Sequence, residues 1–181
     1  MQITTYDYSI GIDIGKNGAI IVQDLITGEI TKHIMPLLGN EIDVKSLYDI
    51  LLPYKDKKCM CGIEDLHAIF GSSAKSTYSF GFIAGATEAI IISLGIPYAK
   101  IQAKVWQKEA FRGIKEIRKN STLNKNGVEV KGKLDTKAMA LLASKRLYPK
   151  FDSTPSERSK KAHDGIVDAL LISDYIINNY N

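Results

Sequence analysis

Four carboxylates in three separate segments hold the chemistry this chain could do. Asp13 ends the run Tyr8-Ser-Ile-Gly-Ile-Asp13, and Glu64 ends Cys59-Met-Cys-Gly-Ile-Glu64. Asp164 and Asp168 lie in His163-Asp-Gly-Ile-Val-Asp-Ala-Leu170, at i and i+4, so on a helix both project from one face. Carboxylates placed where apolar strands surface need a reason, because an unpaired buried charge is costly. A shared divalent cation supplies one, and an all-oxygen donor set suits Mg²⁺, or Mn²⁺, better than zinc. Two such ions about 3.5–4 Å apart stabilise the attacking and leaving oxygens of an in-line displacement at phosphorus.

Positioning those groups requires particular elements. Residues 7–14 and 18–25 read as two strands joined by the turn Gly15-Lys-Asn-Gly18, and 30–35 as a third, after the turn at Thr27-Gly-Glu29. Asp43 caps a predicted helix over 44–53, ended by Pro53. Residues 59–64 form the next strand, and Leu66 to Ser73 a loop. A long helix follows over 74–94, ended by Gly95 and rich in small residues: Ser79, Gly81, Ala84, Gly85, Ala86 and Ala89. Small residues permit close approach to a sheet or to a second subunit, and core packing is the expectation. Pro97 to Ile101 starts another strand, 103–111 a short helix, Leu134 to Leu147 a longer one, and Ala162 to Ile177 the last. Between them, 113–133 is rich in Lys, Asn and Gly with no apolar period, which predicts a flexible basic insertion. Residues 150–161 read as a polar, mostly positive linker. The whole predicts one α/β domain over 1–181: a mixed sheet, its first three strands antiparallel, flanked by helices.

Charge is unevenly spread. Residues 100–161 hold 17 Lys and Arg against 6 Asp and Glu, while the remainder holds 7 against 14. A basic block beside an acidic cluster suits a polyanion held by the former while the latter carries metal. Candidate phosphate contacts are Lys104, Lys108, Arg112, Lys115, Arg118, Lys119, Lys133 and Lys137. Ser73 and Lys75, with Ser72 and Ser76, follow Glu64, where hydroxyls and helix N–H groups can hold phosphate; ordinary helix capping is the alternative. Trp106 and Phe111 fit core packing, and Asp65 a structural role. The two cysteines, Cys59 and Cys61, are two apart on a strand, which disfavours a disulfide and fits reduced core thiols of a cytoplasmic protein. The longest apolar run, Ala89 to Ile96, is too short to span a bilayer, and no secretory signal is evident.

The order and separation of the acidic segments resemble the RuvC-type Holliday-junction resolvases, in their phage-encoded branch, within the ribonuclease-H-like superfamily. The matching stretches are Ile10-Gly-Ile-Asp-Ile-Gly15, Ile63-Glu64 with the helix behind it, and His163-Asp-Gly-Ile-Val-Asp-Ala169. The resemblance implies a ribonuclease-H-like fold and a homodimer that cuts four-way DNA junctions by paired symmetric nicks, in a bacterial or phage-infected cell. It implies that Asp13, Glu64, Asp164 and Asp168 bind two Mg²⁺ ions per active site, Asp13 bridging both, with hydrolysis leaving 3′-hydroxyl and 5′-phosphate ends. The bacterial pattern spaces its last two ligands i, i+3; position 165 is Gly here, and the i, i+4 pair resembles the phage variant. His163 lies about 140° round the helix from Asp168 and reads as a helix-start residue. An aromatic that stacks at the junction would fall near His67 or Phe70.

Three rivals remain at this level. Gly11-x-Asp13-x-Gly15 also suits the phosphate loops of sugar kinases and actin-like ATPases, but those need two such domains. A non-catalytic DNA-binding module accounts for the charge and leaves the acids unexplained. A ribonuclease-H-like nuclease acting on other branched DNA or on RNA–DNA hybrid shares every feature, because fold does not fix substrate.

Overall fold

The computed structural model describes residues 6–65, 73–123 and 129–180. The expected loop with His67, Phe70 and Ser72 lies outside the described residues. Five strands form one sheet: β1 (Tyr8–Asp13), β2 (Ala19–Asp24), β3 (Ile30–Ile34), β6 (Cys59–Glu64) and β7 (Tyr98–Ile101), in the spatial order β3-β2-β1-β6-β7. β1 pairs antiparallel with β2 and β2 with β3, while β6 runs parallel to both β1 and β7. Two-residue strands β4 (Leu37–Leu38) and β5 (Glu41–Ile42) make a small hairpin that sequence reading did not find.

Period-two alternation divides each strand between two apolar layers. Ile10, Ile12, Ile20, Val22, Cys61 and Ile63 face one layer, where they pack with Leu47 and Leu51 of α1 (Val44–Leu51) and Ile83, Ile90 and Ile91 of α2 (Ala74–Ser93). A 3₁₀ turn over Leu52–Tyr54, carrying Pro53, ends α1. α2 ends where Gly95 adopts φ +67°, with its N–H donating to Ile92 O and that of Ile96 to Ile91 O. The opposite layer holds α3 (Ala103–Ala110), α4 (Thr136–Leu147) and α5 (Asp164–Asn179). Helix α5 lies across β1, β2 and β6 and buries nine of its sixteen residues, which makes it the central helix of that layer. Six of them are large and apolar: Ile166, Val167, Leu170, Leu171, Ile172 and Ile176. At about 1.5–3 kcal/mol each, they outweigh the desolvation of two carboxylates in the first turns.

A buried polar chain fixes where α5 sits along the sheet. Ser9 Oγ donates to Ser173 O at 2.9 Å, and Gln23 Nε2 donates to Ser173 Oγ and to Tyr148 OH, each at 3.1 Å. Tyr148 OH donates to Asp174 Oδ1 at 2.6 Å. Sliding α5 by one residue would strand every member of this chain without a partner.

One expectation is corrected. Of the six small residues of α2, Ala84 packs half-buried against the core and none is fully buried; the buried positions are Ile83, Thr87, Ile90 and Ile91, because branched chains gain more from burial than Gly or Ala. The segment 113–133, whose composition predicts a flexible insertion, contains a short ribbon in its described part. β8 (Thr122–Leu123) pairs antiparallel with β9 (Glu129–Val130), and below them Lys119 N–H donates to Lys133 O at 2.9 Å and Asp135 N–H to Ile117 O at 2.8 Å. These backbone bonds are blind to side-chain composition, which is why the polar sequence concealed them. The linker at 150–161 is likewise anchored. Lys32 Nζ on the edge strand β3 donates to Asp152 O at 2.6 Å and Thr154 O at 2.7 Å, with the Phe151 ring beneath it.

Candidate active site

Asp13 and Glu64 are brought side by side by strand register. Gly11 pairs with Gly62 and Ile12 with Ile63, so the next step of the parallel ladder places the two acids at adjacent strand ends. Alternation turns both toward the α5 layer, the side opposite Ile12 and Ile63. Two residues earlier on that face stand Gly11 and Gly62, and both are packing glycines. A Cβ on Gly11 would meet Ala169 O at 2.1 Å, and one on Gly62 would meet Ile176 Cγ1 at 2.7 Å. A third glycine, Gly165, seats the first turn of α5 on the β1–β2 turn; its Cβ would meet Asn17 O at 2.3 Å. Gly11-x-Asp13 is thus explained by close helix–sheet approach rather than by a phosphate loop. The same approach carries Asp168, next to Ala169, up to Asp13 and Glu64.

The three carboxylates feel one another strongly. Burial, then the negative charges of Glu64 and Asp168, push Asp13 up to about 9, with Lys137 opposing. Burial, then Glu64 and Asp164, push Asp168 up to about 7, again against Lys137. Glu64 is also raised by burial, while a hydrogen bond from Asp13 pulls the other way. Burial and mutual repulsion thus favour the protonated forms of both Asp13 and Glu64. Asp164 stands one turn earlier on α5, more exposed, where Lys137 Nζ of α4 pairs with its Oδ2 at 2.5 Å. The N-cap of α5 is His163, whose Nδ1 accepts the Ile166 N–H at 3.3 Å, as a helix-start residue would.

These acids line a cleft of about 800 Å³. One wall is the turn from Ile14 to Gly18, another the first turns of α2, and a third Lys137 with Lys161, Ala162 and His163. Ser73 is the α2 cap, its hydroxyl accepting the Ser76 N–H at 3.2 Å, and the residue also lines the cleft with Lys75. Of the proposed phosphate contacts, Ser73, Lys75 and Lys137 border the cleft. Lys104 and Lys108 on α3, and Arg112, Lys115, Arg118, Lys119 and Lys133 leading into the ribbon, are exposed but outside its lining. Arg118 is engaged locally, with Glu116 at 2.8 Å and Gly132 O at 3.2 Å. Sequence reasoning missed Lys161 and Phe80 as cleft residues. The signal for Lys161 was its place two residues before His163; for Phe80, one helical turn beyond Ser76, there was none.

Trp106 packs as expected, 1 % exposed and edge-on to Phe111 at 6.4 Å between ring centres. Its Nε1 is, among the described residues, the one buried side-chain polar atom with no hydrogen-bond partner. It nonetheless lies close enough to Glu64 to lower that carboxyl's pKa, short of a completed bond.

The donor set fits a hard divalent cation: oxygen only, mutually repelling, and open to a cleft. Among the described residues, no three His, Cys, Asp or Glu side chains are grouped closely enough to hold a metal ion as they stand. Asp13, Glu64, Asp168 and Asp164 are the residues that would hold the ion. Among the described residues no helix is long and apolar enough to cross a membrane.

No family model matches the chain, and no curated protein does. Among solved structures it is similar to T. thermophilus RuvC in complex with Holliday junction substrate, with a TM-score of 0.55, 12 % identity and 94 % of each chain covered. A second Thermus thermophilus RuvC structure aligns with a TM-score of 0.49 and 15 % identity, over 94 % of this chain and 95 % of that one. At such identities the likeness establishes the architecture, and the mixed sheet with helices on both faces is a RuvC-like α/β fold.

Proposed function

We propose that this chain is a Mg²⁺-dependent endonuclease that resolves four-way DNA junctions by paired symmetric nicks. The observation that carries the reading is the convergence of Asp13, Glu64 and Asp168, from β1, β6 and α5, beside Asp164 in one cleft of a RuvC-like fold. The similar T. thermophilus protein is bound to a Holliday junction, which supports the same substrate class here.

Divalent ions held by these four acids would supply Lewis-acid stabilisation of charge at the scissile phosphate. The chain's own residues do the rest. Asp13, Glu64, Asp164 and Asp168, which line one cleft, would together hold the cation. Lys75, Lys137 and Lys161 border the cleft and neutralise backbone phosphates, which sets position without reading sequence. The exposed lysines and arginines of α3 and the ribbon extend that basic surface away from the cleft.

Paired nicks require two active sites, and α2 offers a surface for a second copy. Tyr78, Phe82, Gly85, Ala89 and Ile92 are all exposed and recur at alternating steps of four and three, a heptad seam. Tyr78 and Phe82 stack on each other at 6.5 Å, and Gly81 and Gly85 leave open space beside them. A homodimer joined along this seam accounts for an apolar stripe that the fold leaves uncovered.

The test is Mg²⁺-dependent cleavage of a synthetic four-way junction beside matched linear duplex and RNA–DNA hybrid, with wild type and Asp168→Asn. Paired nicks on the junction alone, reduced about 10³-fold in the variant, are expected. Cleavage of the hybrid instead would make it an RNA-directed nuclease of the same fold, and no cleavage would leave a DNA-binding module.

A further inference from the structure

We propose that Lys32 is a positioning residue for DNA binding: it anchors the basic loop 153–163 and, through that loop, holds Lys161 in the wall of the cleft as a contact to the DNA backbone. The inference rests on the DNA-directed reading above and deepens it.

Lys32 stands where an apolar residue would be at home. On β3 it pairs with Ile21, which is fully buried. Alternation puts it on the same face as Ile30, which packs into the cluster of Ile21, Ile166 and Leu170. An isoleucine would continue that row. The lysine instead carries its ammonium to 5.8 Å from the centre of the Phe151 ring and donates to Asp152 O at 2.6 Å, Thr154 O at 2.7 Å and Asp152 Oδ2 at 3.1 Å. Three acceptors occupy all three donors of the ammonium, which leaves none for a substrate. Two of the three are backbone carbonyls, so the contact fixes the course of the chain as well as pairing a surface carboxylate.

The chain so fixed is a closed loop. His163 N–H donates to Ser153 O at 2.9 Å and joins its two ends. Inside it, Ser159 N–H donates to Ser156 O at 3.0 Å, Thr154 Oγ1 to the same carbonyl at 3.2 Å, and Ser159 Oγ to Lys161 O at 3.2 Å. Residues 152–161 include no apolar side chain larger than Pro155, so burial cannot hold this loop in place. Lys32 holds one foot and the start of α5 holds the other. The loop presents Arg158, Lys160 and Lys161, all exposed, against Glu157 alone. Lys161 lines the acidic cleft and, with Lys137, an adjoining cavity of about 70 Å³, whereas Lys32 borders neither. A cation on a loop without a core binds phosphate well only if the loop is ordered beforehand, because ordering it on binding costs conformational entropy. Lys32 supplies that order from outside the cleft.

The experiment is steady-state cleavage of a four-way junction in Mg²⁺ by the full-length protein and by Lys32→Met, Lys161→Ala and the double variant. Each single change is expected to raise KM about five- to tenfold with kcat within twofold, as loss of one phosphate contact does. The double variant is expected to match either single one, because both changes remove the same contact. Lys32→Arg, which restores the donors, should recover the wild-type KM. Limited trypsin digestion reads the loop itself: cutting after Arg158, Lys160 or Lys161 should be faster in Lys32→Met, with circular dichroism unchanged. Multiplied KM effects in the double variant would mean that Lys32 meets DNA on its own and would overturn the inference. So would an unmoved KM in either single variant, or unchanged trypsin cutting, and each of these leaves the nuclease reading intact. No cleavage of any junction by the wild type would overturn both. Should Lys32→Met fold poorly, Asp152→Ala, at a side chain 65 % exposed, carries the same comparison.

Discussion

At the scale of single residues, the acidic cluster works against the fold that displays it. Asp13 and Asp168 keep protons that the unfolded chain gives up near the ordinary 3.8, since their folded values stand at about 9 and about 7. Between those limits the folded protein binds more protons than the unfolded one. Metal-free stability is therefore expected to fall as pH rises from about 4 through 9 and to level beyond, which denaturant midpoints across pH would check. Saturating Mg²⁺ should flatten that slope, because it binds the ionised form. The same logic gives Asp13→Asn an unusual profile. The variant is expected to lose the proposed nuclease activity yet to melt about 3–6 °C higher than wild type at neutral pH without metal, as differential scanning calorimetry would record. A lower melting point would mean that Asp13 is held by contacts other than its acidic neighbours. Sequence carried the identity of these acids well, because a charged residue at the end of an apolar strand conflicts with burial. It carried nothing of Phe80, and of Lys161 only its place two residues before His163. Those depend on which side chains a helix start and a linker turn toward the cleft, and no local pattern encodes that.

At the scale of elements, the site depends on how closely α5 lies on the sheet. Gly11 and Gly165 admit no Cβ without clashes at 2.1 and 2.3 Å against backbone oxygens, which cannot swing aside as a side chain would. Gly11→Ala should cost about 2–4 kcal/mol and displace Asp168 from Asp13, so that Mg²⁺ affinity falls along with the urea midpoint. A variant stable to within a few tenths of a kcal/mol would show that the helix can lift away freely. These glycines were visible in the sequence but ambiguous there, since a phosphate loop and a packing contact use the same residue. Only the opposing helix separates the two. The strands and helices around them were legible because each has a clear period and a recognisable stop. β6 matches its predicted span residue for residue, and α5 begins two positions later than expected, at Asp164, because His163 supplies the cap. The ribbon and the β4–β5 hairpin were not legible, since short strands held by backbone bonds leave no apolar trace.

At the scale of the whole molecule, the exposed seam of α2 is where the proposed homodimer can be tested. Phe82→Glu places a charge in the middle of the seam and is expected to convert a dimer to a monomer in sedimentation velocity, with the fold intact. Its cleavage of a junction should then yield single rather than paired nicks. A monomeric wild type would remove the seam as the joining surface. The small residues of α2 were noticed in the sequence, but their direction was misjudged: composition shows that a helix is apolar, and only the placement of Ile83, Ile90 and Ile91 shows which side the core has taken.

The polar chain from Ser9 to Ser173 spans 164 residues of sequence, and α5 makes its largest set of contacts with β1. Contacts so distant along the chain close late in folding, because their loop entropy is offset only when most of the structure stands. On a ribosome, the strands bearing Asp13 and Glu64 emerge first, with half of the acidic cluster still missing. Asp164 and Asp168 arrive on the final helix and cannot dock until the chain behind them has been made. The four carboxylates thus come together in one step, when α5 docks on the sheet.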